Sequence, residues 1–546
     1  MQDRQQSGTK RFLRGKHRSE LQFGLMRPLI SGLAAICLSV GATASADEPS
    51  SLVRLDALDG SAVIRGELID VSDGSYVIKT AIGTMRIGID EAECIGSNCP
   101  GLEGFDGDFS IAGSISDVGS LLPGLLSSYA EAIGAVYQVN EASDRSQQIS
   151  IRDGKSNRLL TKVNLPSSNS FDQQADAQGI RVFTDNGNLT ADGIENELVM
   201  AFDGIGVIIH RDNPIAHLSV QAIAEIFSCS RTDWLNLGGP SATIRLYAPG
   251  TNSSTYRLFD RLVLEPFGVA LCDNAISVPS DDDLANYVAN DPSGIAFIAL
   301  DQDHDAKSLA IRECNLAHDP SAFNIKTGDY PLAGRILLDA PTLATSSAAL
   351  QRFVDFTLSD NGQREVRRLG LVDLIIDTPN VDANTYRLAK IEAAALTAQD
   401  GTSITRLIED TENARRLSAT FRFQSGISDL GERNALDNRA QRDLSRLARY
   451  LQETDKGQSE VLVFGFADAS GDYDLNLEIS LQRAQSIANK LAALGVEVSL
   501  VTGFGEEAPV ACNTTLAGRT KNRRVEIWLR PAGPESEPWP FKRATL

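Results

Sequence analysis

Between residues 51 and 108 apolar and polar positions alternate, with turn signals at Asp59-Gly60 and Asp73-Gly74. That period of two predicts a small antiparallel β domain, closed by the cysteine loop ECIGSNCP. From about Phe109 to Asp377 strand-length runs alternate with helical stretches, the pattern of α/β layers. A polar, Ala-rich stretch from Thr378 to about Arg416 reads as helix or linker. Further on, Val461 to Phe466 form a continuous apolar run of strand length that stops at Asp468, with a turn at Gly471 and Asp472. Leu477, Leu481, Ala484, Ala488 and Leu491 then recur at helical spacing, with Arg483 placed off that stripe. The chain carries no repeats or low-complexity tracts.

At the N-terminus the basic residues Lys10, Arg11, Arg14, Lys16, Arg18 and Arg27 precede the apolar run LISGLAAICLSVGA and the small residues Ala44-Ser45-Ala46. This is the pattern of a secretory signal over residues 1–46, and the run is shorter than the roughly 20 apolar residues a membrane span needs. Cys37 lies inside the run without a lipobox, so lipidation is not expected. No other stretch reaches spanning length.

Removing residues 1–46 takes away seven Lys/Arg and two Asp/Glu, which moves the formal charge from −21 to −26. An acidic chain without a basic patch does not neutralise phosphates, so nucleic acid is not an expected partner. An anionic ligand must instead be held by local N–H groups and hydroxyls against the overall field. In an oxidising compartment the remaining cysteines read as disulfides rather than metal ligands, and no metal or cofactor is expected. Cys94–Cys99 is the expected local pair and Cys272–Cys314 a second candidate, leaving Cys229 and Cys512 free.

Asp468 at the strand end and Arg483 on the following helix are expected to meet. Their carboxylate and guanidinium would suit a ligand that carries both an ammonium and a carboxylate. The bland alternative is a surface ion pair that stabilises little. The segment from about Ser418 to Leu529, through ISLQRA and GRTKNRRVEI, resembles the OmpA-like peptidoglycan-binding domain, an α/β sandwich that holds diaminopimelate. The resemblance places Asp468 and Arg483 on the amino acid and adds Asn476, Arg519, Asn522 and Arg523. In one departure, the His and Thr that usually precede the Asp are Phe466 and Ala467 here.

In the α/β region four Ser/Thr- or Asn-rich clusters could cradle an oxyanion: AGSISDVGS with Ser114 and Ser116, LPSSNS with Ser168, FTDNGN with Asp185, and PGTNSSTY with Ser253, Ser254 and Thr255. Anions settle at helix N-termini, where N–H groups and the dipole point outward. Taken singly each cluster is equally a capped helix or a turn. The run from IAEIFSCSRTDWLNLGGPSATIRLYAPGTNSSTYRLF through SGIAFIAL to FVDFTLSDNGQREVRRLGLV resembles the periplasmic phosphate-binding proteins of ABC importers. It implies a two-lobed fold closing on one anion, with Ser114, Ser116, Ser168, Asp185, Ser253, Ser254 and Thr255 as its contacts. Asp185 would accept the proton that phosphate retains and sulfate lacks. The Arg that this family carries before its SGT-type loop is Pro249 here, with Arg181, Arg245 and Arg257 as substitutes.

The expected organisation is thus a signal over 1–46, a β domain over 47–108, a two-lobed α/β domain over 109–377, a helical linker over 378–416, an OmpA-like α/β sandwich over 417–532 and a tail over 533–546. His210, His217, His304 and His318 are scattered, and GxSxG, P-loop, GxGxxG and HExxH motifs are missing, so catalysis is not expected. The leading expectation is a secreted, periplasmic and outer-membrane-associated solute-binding protein tethered to peptidoglycan, capturing phosphate or a related oxyanion. Delivery to an ABC permease, storage and sensing are all open. The alternative is an envelope linker in which the binding fold serves as an interaction module; Pro249 favours it, and Asp185 with the Ser/Thr loops favours capture.

Overall fold

The computed structural model describes the chain between residues 52 and 532, apart from residues 58–61, 73–74, 89–91, 96–108, 113–120, 142–146, 156–158, 166–178, 185–196, 301–304, 340–347, 380–401, 424–437 and 456–457. The expected signal segment lies outside the described residues. The chain divides into two compact units, residues 1–98 and 99–546.

The first unit is a five-stranded antiparallel sheet in the order Gly83–Gly88, Ser75–Thr80, Val63–Ser72, Leu52–Ala57, Ala92–Ile95. It matches the alternation in the sequence: Val53, Leu55, Tyr76, Ile78 and Ala92 are buried, whereas Val63, Ile69 and Ile82 stay exposed. Cys94 is disulfide-bonded. Its expected partner Cys99 lies outside the described residues.

The second unit holds an eleven-stranded mixed sheet over two hydrophobic cores. One strand, Glu197–Ile209, runs through both. Its first part, Glu197 to Gly204, pairs with Ala333–Asp339, and from Ile205 onward it pairs with Gly294–Ala299. Leu198, Met200 and Ala201 accordingly pack in one core, and Ile205, Val207 and Ile209 in the other. A strand thirteen residues long that changes partner midway is what joins two lobes without a break in hydrogen bonding.

Following the lobes, a four-stranded sheet in the order Arg415–Arg422, Arg524–Pro531, Ser459–Gly465, Leu500–Gly503 is covered on both faces. Val461, Val463, Val525, Ile527 and Leu529 face helices Asn438–Tyr450 and Tyr473–Ala493. Leu462, Phe464, Phe466 and Trp528 face Ile404 and Leu407 of helix Thr402–Thr411. Two buried faces explain why the Val461–Phe466 run reads as continuously apolar rather than alternating. They also show that the last part of the stretch expected as a linker packs as a layer of this domain, and that Arg415 and Arg416 open its edge strand.

Three expectations change. The disulfides among the described residues pair Cys229 with Cys272 and Cys314 with Cys512, instead of Cys272 with Cys314. Those partners lie 43 and 198 residues apart, separations that composition and spacing do not encode. On helix Tyr473–Ala493 the buried positions are Asn476, Ser480, Arg483, Ala484, Ile487, Ala488 and Leu491, so Arg483 lies on the inner face while Leu481 is exposed. The reason is close contact with glycine: a Cβ on Gly465 would sit 1.9 Å from the Ser480 carbonyl oxygen, and one on Gly503 would sit 2.4 Å from the Leu481 nitrogen. The helix settles onto the sheet through Ser480 because only glycine allows that approach. Ser480 Oγ accepts from Gly505 N at 2.9 Å there. Finally, Asp468 takes Arg523, not Arg483, as its ion partner.

Candidate functional site

The strand Ser459–Gly465 delivers Asp468 to the carboxyl end of the sheet, where Ala467 N donates to Gly505 O and Ser470 N donates to Asp468 Oδ1 at 2.9 Å. Gly471, with φ of 98°, turns the chain into Asp472, whose carboxylate caps the next helix by accepting from Asp474 N and Leu475 N. Asp468 Oδ2 accepts from Arg523 Nη1 at 2.7 Å, and Arg523 Nη2 donates to Thr520 Oγ1 at 2.7 Å. Burial works to raise the Asp468 carboxyl, but the hydrogen bonds from Arg523 and Ser470 and the Arg523 charge outweigh it and hold the group below its ordinary range. Asp468 is therefore a carboxylate at neutral pH.

The Arg483 guanidinium projects from the inner face of helix Tyr473–Ala493 and lies 5.5 Å from the Phe423 ring centroid, a cation–π distance. Asn476 Nδ2 donates to Glu506 Oε2 at 3.1 Å. Arg519 Nη1 donates to the Asn513 carbonyl at 3.1 Å. Asn522, fully buried, spends its amide on the chain itself: Oδ1 accepts from Val510 N and Ala511 N, and Nδ2 donates to Ala511 O and Asn513 Oδ1. The six expected wall-site residues therefore divide by task. Asp468, Arg523 and Arg483 bring charge to the carboxyl end of the strand Ser459–Gly465, Asn522 and Arg519 shape the loop 510–513 beside it, and Asn476 holds Glu506. Sequence reading passed over Asn513, whose side chain also accepts from Ala469 N at 3.1 Å, because a lone Asn between Cys512 and Thr514 carries no motif.

In the lobes, Ser253 caps helix Ser254–Phe259 by accepting from Tyr256 N, and Thr255 Oγ1 donates to Asp281 Oδ2 at 3.5 Å. Ser253 thus ends the turn after the strand Arg245–Pro249, and Ser254 and Thr255 open the helix that follows it. Ser114, Ser116, Ser168 and Asp185 lie outside the described residues. Of the arginines considered as a replacement at Pro249, Arg245 sits at the opposite end of that strand and pairs with Asp291 at 3.0 Å, and Arg257 Nη1 donates to Asn252 O at 2.9 Å. For Arg181 the described geometry covers only its place on the strand Gly179–Thr184. Arg261, unremarked in the sequence, donates from Nη1 to the Thr184 carbonyl at 2.5 Å and so carries a cation from one lobe to the strand end of the other. Near the strand crossover, desolvation is the largest influence on Asp203 and pushes its carboxyl up to about 6, with the Asp281 charge adding to it. Among the described residues no group of His, Cys, Asp and Glu could hold a metal ion, and no helix is long and apolar enough to cross a membrane.

Comparison with known proteins gives two family matches, the PBP superfamily domain over residues 171–361 and the OmpA family over residues 423–523. Protein SphX of Synechococcus elongatus is 30% identical over 33% of this chain and 56% of its own length. The phosphate-binding protein PstS of Borreliella burgdorferi is 22% identical over 39% of this chain and 82% of its own. The peptidoglycan-binding protein ArfA of Mycobacterium tuberculosis is 41% identical over 13% of this chain and 22% of its own. The chain thus spans about half of SphX and less than a quarter of ArfA. The chain thus joins a segment that matches the PBP superfamily domain, within the two-lobed core, to a C-terminal segment that matches the OmpA family, over the four-stranded sheet.

Proposed function

We propose that this protein captures phosphate or a related oxyanion in the bacterial envelope while held to peptidoglycan by its C-terminal domain. The observation that carries the reading is the pairing, in one chain, of a PBP superfamily match over 171–361 with an OmpA family match whose Asp468 carboxylate is held by Arg523 at 2.7 Å. A diaminopimelate side chain presents an ammonium and a carboxylate together. Asp468 serves the ammonium, and the Arg483 and Arg523 guanidinia serve the carboxylate.

For the anion, Ser114, Ser116, Ser168, Asp185, Ser253, Ser254 and Thr255 supply hydroxyl, amide and carboxylate contacts, and Arg261 supplies the positive charge that Pro249 does not. Asp185 selects for an anion that still carries a proton. The signal segment 1–46 sends the chain to the periplasm, where the C-terminal domain fixes it at the wall near the outer membrane. An ABC permease is the receiving partner if the anion is imported, and storage at the wall is the outcome if it is not.

Calorimetric titration of the mature protein with phosphate, then sulfate, at fixed salt tests the capture arm. Micromolar or tighter phosphate binding, absent for sulfate and lost in Asp185→Asn, supports it. Silence toward both anions with retained sedimentation on peptidoglycan leaves the linker reading, which the buried Pro249 in place of an arginine favours.

A further inference from the structure

The second lobe and the wall-binding domain are joined covalently at a telling position. Cys314 occupies the turn between the strands Ala310–Glu313 and Leu316–His318 of the lobe, with φ of 54°. Its disulfide partner Cys512 lies in the C-terminal domain, directly before Asn513. Beside it, His318 Nε2 and the Val510 carbonyl are 2.9 Å apart, a second link between the same two segments.

The loop from Val510 to Asn513 is also the frame of the wall site. Asn513 Oδ1 takes the Ala469 amide, one residue past Asp468, and the Asn522 side-chain amide. The Asn513 carbonyl takes Arg519 Nη1. Asn522 in turn binds both amides of Val510 and Ala511 and precedes Arg523, the residue that grips Asp468. The helix Leu516–Asn522 is seated on the same loop, since a Cβ on Gly518 would lie 2.0 Å from the Cys512 carbonyl oxygen. Displacing Cys512 therefore moves the supports of Asp468 and Arg523 together.

Resting on the wall-binding reading, we propose that Asn513 and the Cys314–Cys512 disulfide are positioning residues of the peptidoglycan site, so that the solute-binding lobe supplies part of its frame. A site held by hydrogen bonds loses precision when the shell behind it loosens. Wall affinity then depends on the oxidation state of a cysteine pair that contacts no ligand.

The test uses the full mature chain on purified diaminopimelate-type sacculi, with amide hydrogen exchange over residues 467–476 as a readout that does not require binding. Cys314→Ser/Cys512→Ser and Asn513→Ala are each expected to lower sacculus binding about tenfold, the effect of releasing roughly one hydrogen bond at the site, and to speed exchange at Ala469. Reduction of the wild type does the same and reoxidation restores it, whereas Cys229→Ser/Cys272→Ser leaves both readouts at the wild-type level. Unchanged binding and exchange in both the double serine variant and Asn513→Ala overturn the proposal. Faster exchange in those variants while even the wild type ignores sacculi sustains the positioning role and removes the wall-binding reading instead.

Discussion

Arg416, on the edge strand of the C-terminal sheet, donates from Nη1 to Asp329 Oδ2 of the second lobe at 2.7 Å, with both side chains almost wholly out of solvent. Around that pair Arg416 Nη2 donates to Thr420 Oγ1, and Arg422 Nη2 donates to the Thr327 carbonyl at 2.6 Å. Gly328, with φ of 69°, makes room for the Arg422 guanidinium, since a Cβ there would lie 2.8 Å from Nη1. Lys326, also buried, donates to Asp373 Oδ1, to the Ile375 carbonyl and to Asp377 Oδ2. Asp377 and Ser418 then exchange backbone and hydroxyl hydrogen bonds. Desolvation is expensive for the buried charges among these, Arg416, Asp329, Lys326 and Asp373, and each is met by an opposite charge.

Removing Asp329 takes from buried Arg416 its hydrogen-bonded carboxylate at 2.7 Å and leaves it Glu526 Oε2 at 3.5 Å. Asp329→Ala is expected to destabilise the second unit by about 1–3 kcal/mol, less than a wholly unpaired charge because Glu526 remains. Urea unfolding of the full chain followed by tryptophan fluorescence checks this, because Trp528 lies in the same sheet as Arg416. A loss under 1 kcal/mol would mean that water replaces the carboxylate.

Asp468 gives a pH dependence of known sign. Its folded carboxyl sits below the ordinary 3.8, so its ionisation stabilises the fold fully above that value and the contribution is lost as pH falls through the folded value. Asp468→Asn is expected to flatten stability against pH below about pH 4 and to abolish binding to sacculi at neutral pH. Acid unfolding curves of the two proteins that superimpose would contradict the ion pair with Arg523.

Asp203 runs the other way. Burial raises its carboxyl to about 6, so between the unfolded value of 3.8 and about 6 the folded state binds more protons, and stability falls as pH rises through that window. Asp203→Asn should remove that slope and raise the melting temperature at pH 7 relative to the wild type. Calorimetric scans at pH 4.5 and 7 decide it; equal shifts at both would refute the assignment.

Gly465→Ala should push helix Tyr473–Ala493 off the sheet, because the new methyl meets the Ser480 carbonyl at 1.9 Å. The expected cost is about 1–3 kcal/mol, typical of overpacking. Because the same helix carries Arg483, weaker retention on sacculi should accompany the lower denaturation midpoint.

The β domain, the α/β layers and the strand Val461–Phe466 were legible from the chain because periodicity of side chains along the backbone is a local property. Candidates for a wall site were legible too, Arg483, Arg519, Asn522 and Arg523 within ISLQRA and GRTKNRRVEI and Asp468 and Asn476 outside them. Which of them touch each other was not. Arg483 and Arg523 offer the same guanidinium, and only the folded geometry sets Arg523 at 2.7 Å from Asp468 and Arg483 against the Phe423 ring. Cysteine pairing was equally hidden, since Cys314 and Cys512 are brought together across a separation of 198 residues by the tertiary fold. By itself, then, the sequence determined the kinds of element and the chemistry on offer. Tertiary structure alone decided partners, because partnership depends on distances that local patterns of apolar and polar residues do not carry.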